Sequence, residues 1–252
     1  DQAGVTVFEG HGKVLGQGRV AVEDQELSAA NILIATGGKP YVPEFPGCEL
    51  ARISDDLFYL ESLPERVAVV GGGYIATEFA GILHGLGCQV TQVYRGNLSL
   101  RGFDGDIRQF VAEQMRGQGV DLKFNSDVTR LDRVGSGKQV TYQDGSQQTF
   151  DEVFYATGRV PKLDGLFADG ATPTLTEKGA IKVDDGFATS IPCLYALGDV
   201  IDRVQLTPVA LAEGMWLAAQ LFGESKPQAT MDYRNIATAV FSHPNIGTVG
   251  LS

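Results

Sequence analysis

Short alternating or continuous apolar runs, broken by Gly, Asp and Gln, occupy residues 5–34 and again 127–155 of this chain. Between them a longer-period pattern takes over. In the first stretch, residues 5–8, 19–22 and 31–34 predict the strands of a small antiparallel meander. The third strand runs into Ala35-Thr36-Gly37-Gly38. Pro40, Pro43, Pro46 and Gly47 then mark an extended crossing segment. Ser54 reads as the N-cap of a short helix opened by Asp55 and Asp56.

The central segment carries the strongest pattern. Residues 66–70, Arg-Val-Ala-Val-Val, form a continuous apolar run suited to burial on both faces of a parallel sheet. Gly71-Gly72-Gly73 follows at once. Residues 74–86 then carry helical spacing, with Ile75, Phe79, Ile82 and Leu86 on one side and Gly87 closing the helix. Residues 89–94 predict a second strand, 106–115 a second helix and 120–124 a third strand. This βαβαβ alternation makes a parallel sheet. Residues 128–131, 139–142 and 153–155 return to a meander, with Asp144-Gly145 as a hairpin turn. That meander also ends in Ala-Thr-Gly, at residues 156–158. Residues 194–197 predict a strand ending at Gly198-Asp199. Thr207-Pro208 reads as the cap and first position of a helix to about Phe222. Residues 233–240 open a further element.

The meander leading into Ala-Thr-Gly therefore occurs twice. Only the second copy follows a βαβαβ unit. The expectation is an α/β chain of two related dinucleotide-binding domains, each a parallel sheet plus an antiparallel meander, the first lacking its opening half.

Composition narrows the chemistry. Glycine, at 32 of 252 residues, is about twice its usual share of roughly 7%, which points to tight loops and close backbone approach. The net charge of −11 gives a surface that repels phosphate backbones and anionic lipid, so neither nucleic acid nor a membrane is expected as partner. No apolar run approaches the roughly 18 residues of a membrane span. Cys48, Cys88 and Cys193 are far apart in sequence, with no C-x-x-C. The expectation is small buried or half-buried thiols in a reducing, cytoplasmic compartment, and no metal.

Gly71-Gly72-Gly73-Tyr74-Ile75-Ala76 fits G-x-G-x-x-G/A between a buried strand and a helix, the context a dinucleotide loop requires. Gly71 allows the tight turn, and Gly73 lets the backbone approach a pyrophosphate at the positive end of the helix. Ala76 permits close helix–strand packing. The bland alternative is a glycine-rich turn with no ligand. A carboxylate about 20 residues on would select NAD. Here the second strand ends Val93-Tyr94-Arg95, and Arg101 follows. A 2′-phosphate matches the guanidinium fork, and each charge-assisted bond adds roughly 1.5–3 kcal/mol. Two arginines thus point to NADPH, against the alternative of two solvated surface cations.

The stretch from Leu63 to Asp104, with Gly-Gly-Gly-Tyr-Ile-Ala-Thr-Glu and Tyr-Arg-Gly…Leu-Arg-Gly-Phe-Asp, resembles the NADPH domain of the flavin-dependent pyridine nucleotide-disulfide oxidoreductases, in particular their glutathione reductases. Ala156-Thr157-Gly158-Arg159-Val160-Pro161, Ala196-Leu197-Gly198-Asp199-Val200, Leu206-Thr207-Pro208-Val209-Ala210 and Phe241-Ser242-His243-Pro244 follow in that family's order. The likeness covers essentially the whole chain. It implies FAD, NADPH, a homodimer, and a small-molecule disulfide substrate, glutathione disulfide first. It implies an incomplete FAD domain at 1–52 and 161–232, an NADPH domain at 53–160, and the start of a dimerisation domain at 233–252.

By position, Gly72, Tyr74, Ile75, Glu78, Arg95, Arg101 and Gly158 resemble the family's NADPH contacts. The resemblance implies that Tyr74 covers the flavin face and that Glu78 pairs with a lysine outside this chain. It implies that Thr36 and Gly37 line the FAD domain, that Asp199 holds the ribityl chain, and that Thr207 faces the flavin pyrimidine. An exposed helix carboxylate is the alternative for Glu78, and a plain N-cap for Thr207. The family's flavin glycine loop and C-x-x-x-x-C redox pair would precede residue 1, and its His-Glu pair would follow Ser252. The expectation is that the chain as given completes no disulfide reduction. Met215 stands where many glutathione reductases carry an arginine, and trypanothione-type enzymes share the Gly-Gly-Gly and Arg-Gly-Phe-Asp variants. A non-catalytic NADPH module and a mercuric- or lipoamide-type reductase are the other readings.

Overall fold

The computed structural model describes residues 3–250. The chain divides into two compact units, Asp1–Lys39 with Val160–Tyr233, and Pro40–Arg159 with Arg234–Ser252. Both are mixed α/β, with parallel strand pairing beside an antiparallel meander.

The second unit is built on the apolar run at 66–70. Arg66–Val70 lies at the centre of a five-stranded sheet, in the spatial order Arg52–Ile53, Glu152–Tyr155, Arg66–Val70, Gln89–Tyr94, Asp121–Phe124. Every neighbouring pair is parallel. Val67 and Val69 face the helices Tyr74–Gly85 and Gly105–Gln118, packing with Ala76, Phe79, Ala80, Leu83, Val111 and Met115. Ala68 and Val70 face the other way, into a layer of Val128, Leu131, Val140, Tyr142 and Phe150. That layer is the antiparallel meander Val128–Val134, Gly137–Tyr142, Gln147–Phe150. Burial on both faces explains why no polar residue interrupts the run, since each such side chain contributes roughly 1.5–3 kcal/mol. The Asp144-Gly145 turn forms as expected: Gly145 is left-handed, and its amide donates to Tyr142 O at 2.9 Å.

The first unit has its own meander, Gly12–Gly16, Arg19–Val22, Gln25–Ser28, and a parallel pair, Ile32–Ile34 with Leu194–Ala196. Its core gathers Val14, Ile34, Leu166, Ile181, Phe187, Leu194 and Leu197 beneath Leu217 of the helix Thr207–Phe222.

Several local expectations are corrected. Residues 5–8 form no strand; Val5, Val7 and Phe8 are exposed, and alternation without a pairing edge does not make one. Residues 31–34 and 153–155 are not last strands of the meanders but join parallel pairs instead. Ser54 and Thr207 are first helical residues, not caps. The Ile53 amide donates to Asp56 Oδ2 at 2.8 Å, so the first helix is closed from its third residue. On Tyr74–Gly85 the buried face is Ala76, Thr77, Phe79, Ala80 and Leu83, whereas Ile82 and Leu86 are exposed. Small residues let the helix approach the sheet, so the buried stripe is rotated from the one the bulky residues suggest. The element expected to open within residues 233–240 is the hairpin Thr238–Val240, Ile246–Thr248.

One charged cluster fastens the meander to the sheet. Glu152 accepts from Arg52 Nε at 3.0 Å and from Nζ of Lys138, whose side chain is only 8% exposed. Burial alone would raise the Glu152 carboxyl. The hydrogen bonds from Arg52 and Lys138 outweigh it and hold the group below the usual glutamate range. Its contribution to stability is therefore complete above the unfolded-state value of about 4.3 and is lost as pH falls through the lower folded value. Glu152→Gln leaves Lys138 buried without a carboxylate and should cost about 3 kcal/mol at pH 7. Urea denaturation should show the gap between variant and wild type closing below pH 4; a gap independent of pH would refute this account.

Candidate functional site

The glycine loop sits at the C-terminal edge of the parallel sheet, where Arg66–Val70 turns into Tyr74–Gly85. Gly71 has φ 146, and its amide donates to Val93 O at 2.9 Å. A Cβ there would lie 2.3 Å from Ala156 O and 3.0 Å from Ala76 Cβ, so no side chain fits. Gln92, fully buried in the neighbouring strand, donates from Nε2 to Gly71 O at 3.1 Å. Gly72 lies against the Tyr94 ring, 2.5 Å from where its Cβ would be. Gly73 differs from both. It caps the helix with no side-chain hydrogen bond, it is exposed, and a Cβ on it would meet nothing within 4 Å. Buried Thr77 holds it from below, donating from its amide and hydroxyl to Gly73 O at 3.1 and 3.0 Å. Nothing in this unit's own packing requires glycine at 73. The open space above it lies at the positive end of a helix, an arrangement whose chemistry suits an anion.

The second strand delivers the two arginines. Arg95 and Arg101 are both exposed, and among the described residues neither side chain takes a hydrogen bond or ion pair. Arg101 is brought to the glycine loop by its neighbour. The Leu100 amide donates to Gly72 O at 2.6 Å, while the Leu100 side chain is buried. Arg108 Nε and Nη2 donate to Ser99 O at 2.7 Å and Leu98 O at 2.6 Å. Asp104 caps the following helix, accepting from Asp106 N and Ile107 N at 2.9 and 3.3 Å. No carboxylate stands at the end of the strand; Tyr94 packs there instead.

Gly158 completes this edge. It follows Ala156, whose carbonyl presses on Gly71; it has φ 133, and a Cβ on it would meet nothing. Its carbonyl accepts from Tyr41 N at 2.9 Å, and Thr157 Oγ1 donates to Tyr41 O at 2.6 Å. Ile75 is half-buried against the core, and Tyr74 is 39% exposed. Glu78, one turn on, is half-buried, and its Oε1 accepts from Phe241 N at 2.8 Å.

The remaining predicted residues belong to the first unit. Thr36 Oγ1 donates to Lys162 O, and Lys162 N to Gly37 O, both at 2.9 Å. This is the same grip that Thr157 and Gly158 receive from Tyr41. A Cβ on Gly37 would meet nothing, while one on Gly38 would lie 3.5 Å from Asp199 Cβ. Asp199 is the second residue of the short 3-10 turn Gly198–Ile201. Buried Glu213, on the helix that Thr207 begins, accepts from Gly198 N at 2.7 Å and from Tyr233 OH at 2.8 Å. Burial pushes the Tyr233 phenol up, and the Glu213 hydrogen bond adds to the rise, so it stays a donor. Thr207 itself is exposed at the helix start. The structure thus brings the Ala-Thr-Gly-Gly turn to Asp199 through Gly38, and Gly198, next to Asp199, to that helix. Sequence reading missed Gln92, Thr77, Arg108 and Glu213. A polar residue inside an apolar strand or helix face was the available signal for Gln92, Thr77 and Glu213.

Of the thiols, Cys88 is buried and pushed up by burial and Cys48 is half-buried, as expected, whereas Cys193 is exposed, against the expectation. All are free. No described helix is long and apolar enough to cross a membrane. A cleft of about 480 Å³ at the opposite ends of the same strands, lined by Arg66, His84, Cys88, Thr91 and Asp121, contains none of the predicted residues.

The sequence profile described as Pyridine nucleotide-disulphide oxidoreductase matches residues 1–214. A glutathione reductase of Burkholderia cepacia is 42% identical over 252 residues, covering 100% of this chain and 56% of its own length. A trypanothione reductase of Trypanosoma congolense is 40% identical over 265 residues, covering 100% of this chain and 54% of its own. The solved HOCl-induced flavoprotein disulfide reductase RclA from Escherichia coli superposes with a TM-score of 0.91 at 31% identity, over 98% of this chain and 57% of that one. The chain thus spans about half the length of the curated relatives it matches.

Gly71 and Gly73 make opposite predictions. Gly71→Ala meets backbone at a left-handed φ and should lose at least about 2 kcal/mol in urea denaturation. Gly73→Ala should remain within about 1 kcal/mol of wild type, since its φ of −84 suits any residue and its Cβ enters open space. Equal losses would show that the space above Gly73 is not open.

Proposed function

Since the chain belongs to the pyridine nucleotide-disulphide oxidoreductase family, we propose that it is the NADPH-binding and partial FAD-binding portion of a flavoprotein disulfide reductase of the glutathione reductase type. The observation that carries the nucleotide reading is the Leu100 N to Gly72 O bond, which sets Arg101 beside the glycine loop with its guanidinium uncommitted to any described residue. Gly73 and Gly158 support it, because their missing side chains leave room that the protein does not fill. The backbone of Gly71–Gly73 and the start of Tyr74–Gly85 hold the pyrophosphate in this reading. Arg95 and Arg101 grip the 2′-phosphate, and Tyr74 shields the nicotinamide side.

Oxidoreductases of this type use FAD and NAD(P)H. When bound, the two groups supply hydride transfer and the onward passage of electrons to a disulfide. The residues of the first unit fit the flavin by the same criterion. Gly37 leaves open space, Gly38 next to it lies against Asp199, and Thr207 starts a helix whose positive end stabilises negative charge placed before it. A small-molecule disulfide is the substrate, in a homodimeric parent.

A specific observation favours the trypanothione-type variant of this reading. The exposed face of Thr207–Phe222 carries Leu211 and Met215, 64% and 75% exposed, and the helix contains no cation. Such a face suits a less anionic disulfide than glutathione's. Steady-state reduction of both disulfides by the full-length protein separates the two.

Titration with both nucleotides, followed by their fluorescence, tests the cofactor assignment. NADPH should bind at least about tenfold tighter than NADH, given two charge-assisted contacts. Arg95→Ala with Arg101→Ala should weaken NADPH by about a hundredfold and NADH by less than about threefold. Equal loss for the two nucleotides would sink the assignment.

A further inference from the structure

We propose that Arg108 is a positioning residue that sets the nucleotide preference without touching the nucleotide, by fixing the loop that carries Arg101. This inference rests on the reading of Arg95 and Arg101 as the 2′-phosphate grip.

Arg108 occupies an electrostatically poor place. It lies in the first turn of Gly105–Gln118, where the helix end is positive and a cation costs roughly 0.3–1 kcal/mol. No described carboxylate pairs with it. Its planar fork instead spans two consecutive carbonyls, with Nε donating to Ser99 O at 2.7 Å and Nη2 to Leu98 O at 2.6 Å. Charge-assisted bonds of that length, made to backbone alone, define an arginine whose work is to hold a loop.

What is held is specific. Ser99 is buried, and its Oγ has no partner, so its backbone carbonyl is the group that ties it down. The next residue, Leu100, has φ 58, a left-handed conformation costly for a side chain of that size. It persists because the Leu100 side chain is buried and its amide is bonded to Gly72 O at 2.6 Å. Phe103 N returns to Leu100 O at 3.1 Å, and Asp104 caps the helix. Arg101 therefore stands between two fixed points, and the fork of Arg108 closes the upstream one. Without it, two carbonyls lose their donors, one of them on a buried residue, and the strained turn at Leu100 relaxes. The glycine loop keeps its own bonds to Val93, Gln92 and Thr77. The loss is thus confined to the adenosine side.

The test compares Arg108→Leu, Arg108→Gln and Arg108→Lys with wild type in the full chain, using NADPH, NADH and adenosine 2′,5′-bisphosphate as probes. Arg108→Leu should weaken NADPH and the bisphosphate by about tenfold and NADH by less than about twofold. Arg108→Lys should lose as much, because an ammonium keeps the charge but lacks the rigid fork for both carbonyls. If Arg108→Leu fails to fold, Arg108→Gln reads the same ratio. An unchanged NADPH-to-NADH ratio in the variants, equal loss of both nucleotides, or full rescue by lysine would overturn the positioning role. A wild type that binds both nucleotides alike would overturn the 2′-phosphate reading beneath it, so the two failures are distinguishable.

Discussion

The approach of the Gly71 backbone to the Ala156 carbonyl and the Ala76 side chain, too close for any Cβ, is the constraint on which the proposed nucleotide site depends. It allows the chain to leave a central parallel strand and enter a helix with almost no connecting length. The helix N-terminus therefore lands over the C-terminal edge of the sheet rather than beyond it. Gln92 from one neighbouring strand and Ala156 after the other hold the turn from both sides. A bulkier residue at 71 or 76 would lift the helix and carry its positive end away from the loop at 95–104. Packing and electrostatics are thus one requirement here: small residues bring the helix dipole over the sheet edge.

The same logic is written twice. In one unit Thr157 and Gly158 are gripped by Tyr41; in the other Thr36 and Gly37 are gripped by Lys162, through the same hydroxyl-to-carbonyl and amide-to-carbonyl pair. Each grip fixes the end of a parallel strand just where its backbone turns left-handed at glycine. Repetition of side-chain and backbone bonds together, at matching positions of the Ala-Thr-Gly motif, is stronger support for two related nucleotide-binding units than the repeated tripeptide alone.

The sequence revealed most where a residue's role depends on its immediate neighbours. Arg-Val-Ala-Val-Val announces a strand buried on both faces, and Gly-Gly-Gly before an apolar helix announces the loop. The Asp144-Gly145 turn is equally local. Roles fixed by distant partners were hidden. Alternation shows that residues 31–34 and 153–155 are extended, but not that they pair with strands over 80 residues away at 194–196 and 66–70. Bulk suggested that Ile82 and Leu86 were core, but the sheet selects Ala76 and Ala80 because they are small. Ser54 and Thr207 look like caps by type, yet Asp56 and the helix geometry take that place. Arg95 and Arg101 could be proposed as a pair from spacing. That Arg108 supports the loop of Arg101 could not, because its partners are backbone carbonyls, which leave no mark on residue type.

A chain with net charge −11 is an unpromising host for a phosphorylated dinucleotide, yet the site's own charge balance runs the other way. At physiological salt the Debye length is about 8 Å, so carboxylates elsewhere on the surface act weakly on a ligand seated at the loop. Close to the glycine loop stand a helix N-terminus and Arg101, which like Arg95 has no carboxylate partner among the described residues, while the fork of Arg108 is turned away onto carbonyls. The global charge therefore bears on encounter, slowing the approach of any anion and disfavouring polyanions that must lie along a wide face. The local charge bears on retention in the proposed site. The expectation of no nucleic-acid partner, read from composition, is therefore compatible with the single nucleotide proposed from the motif.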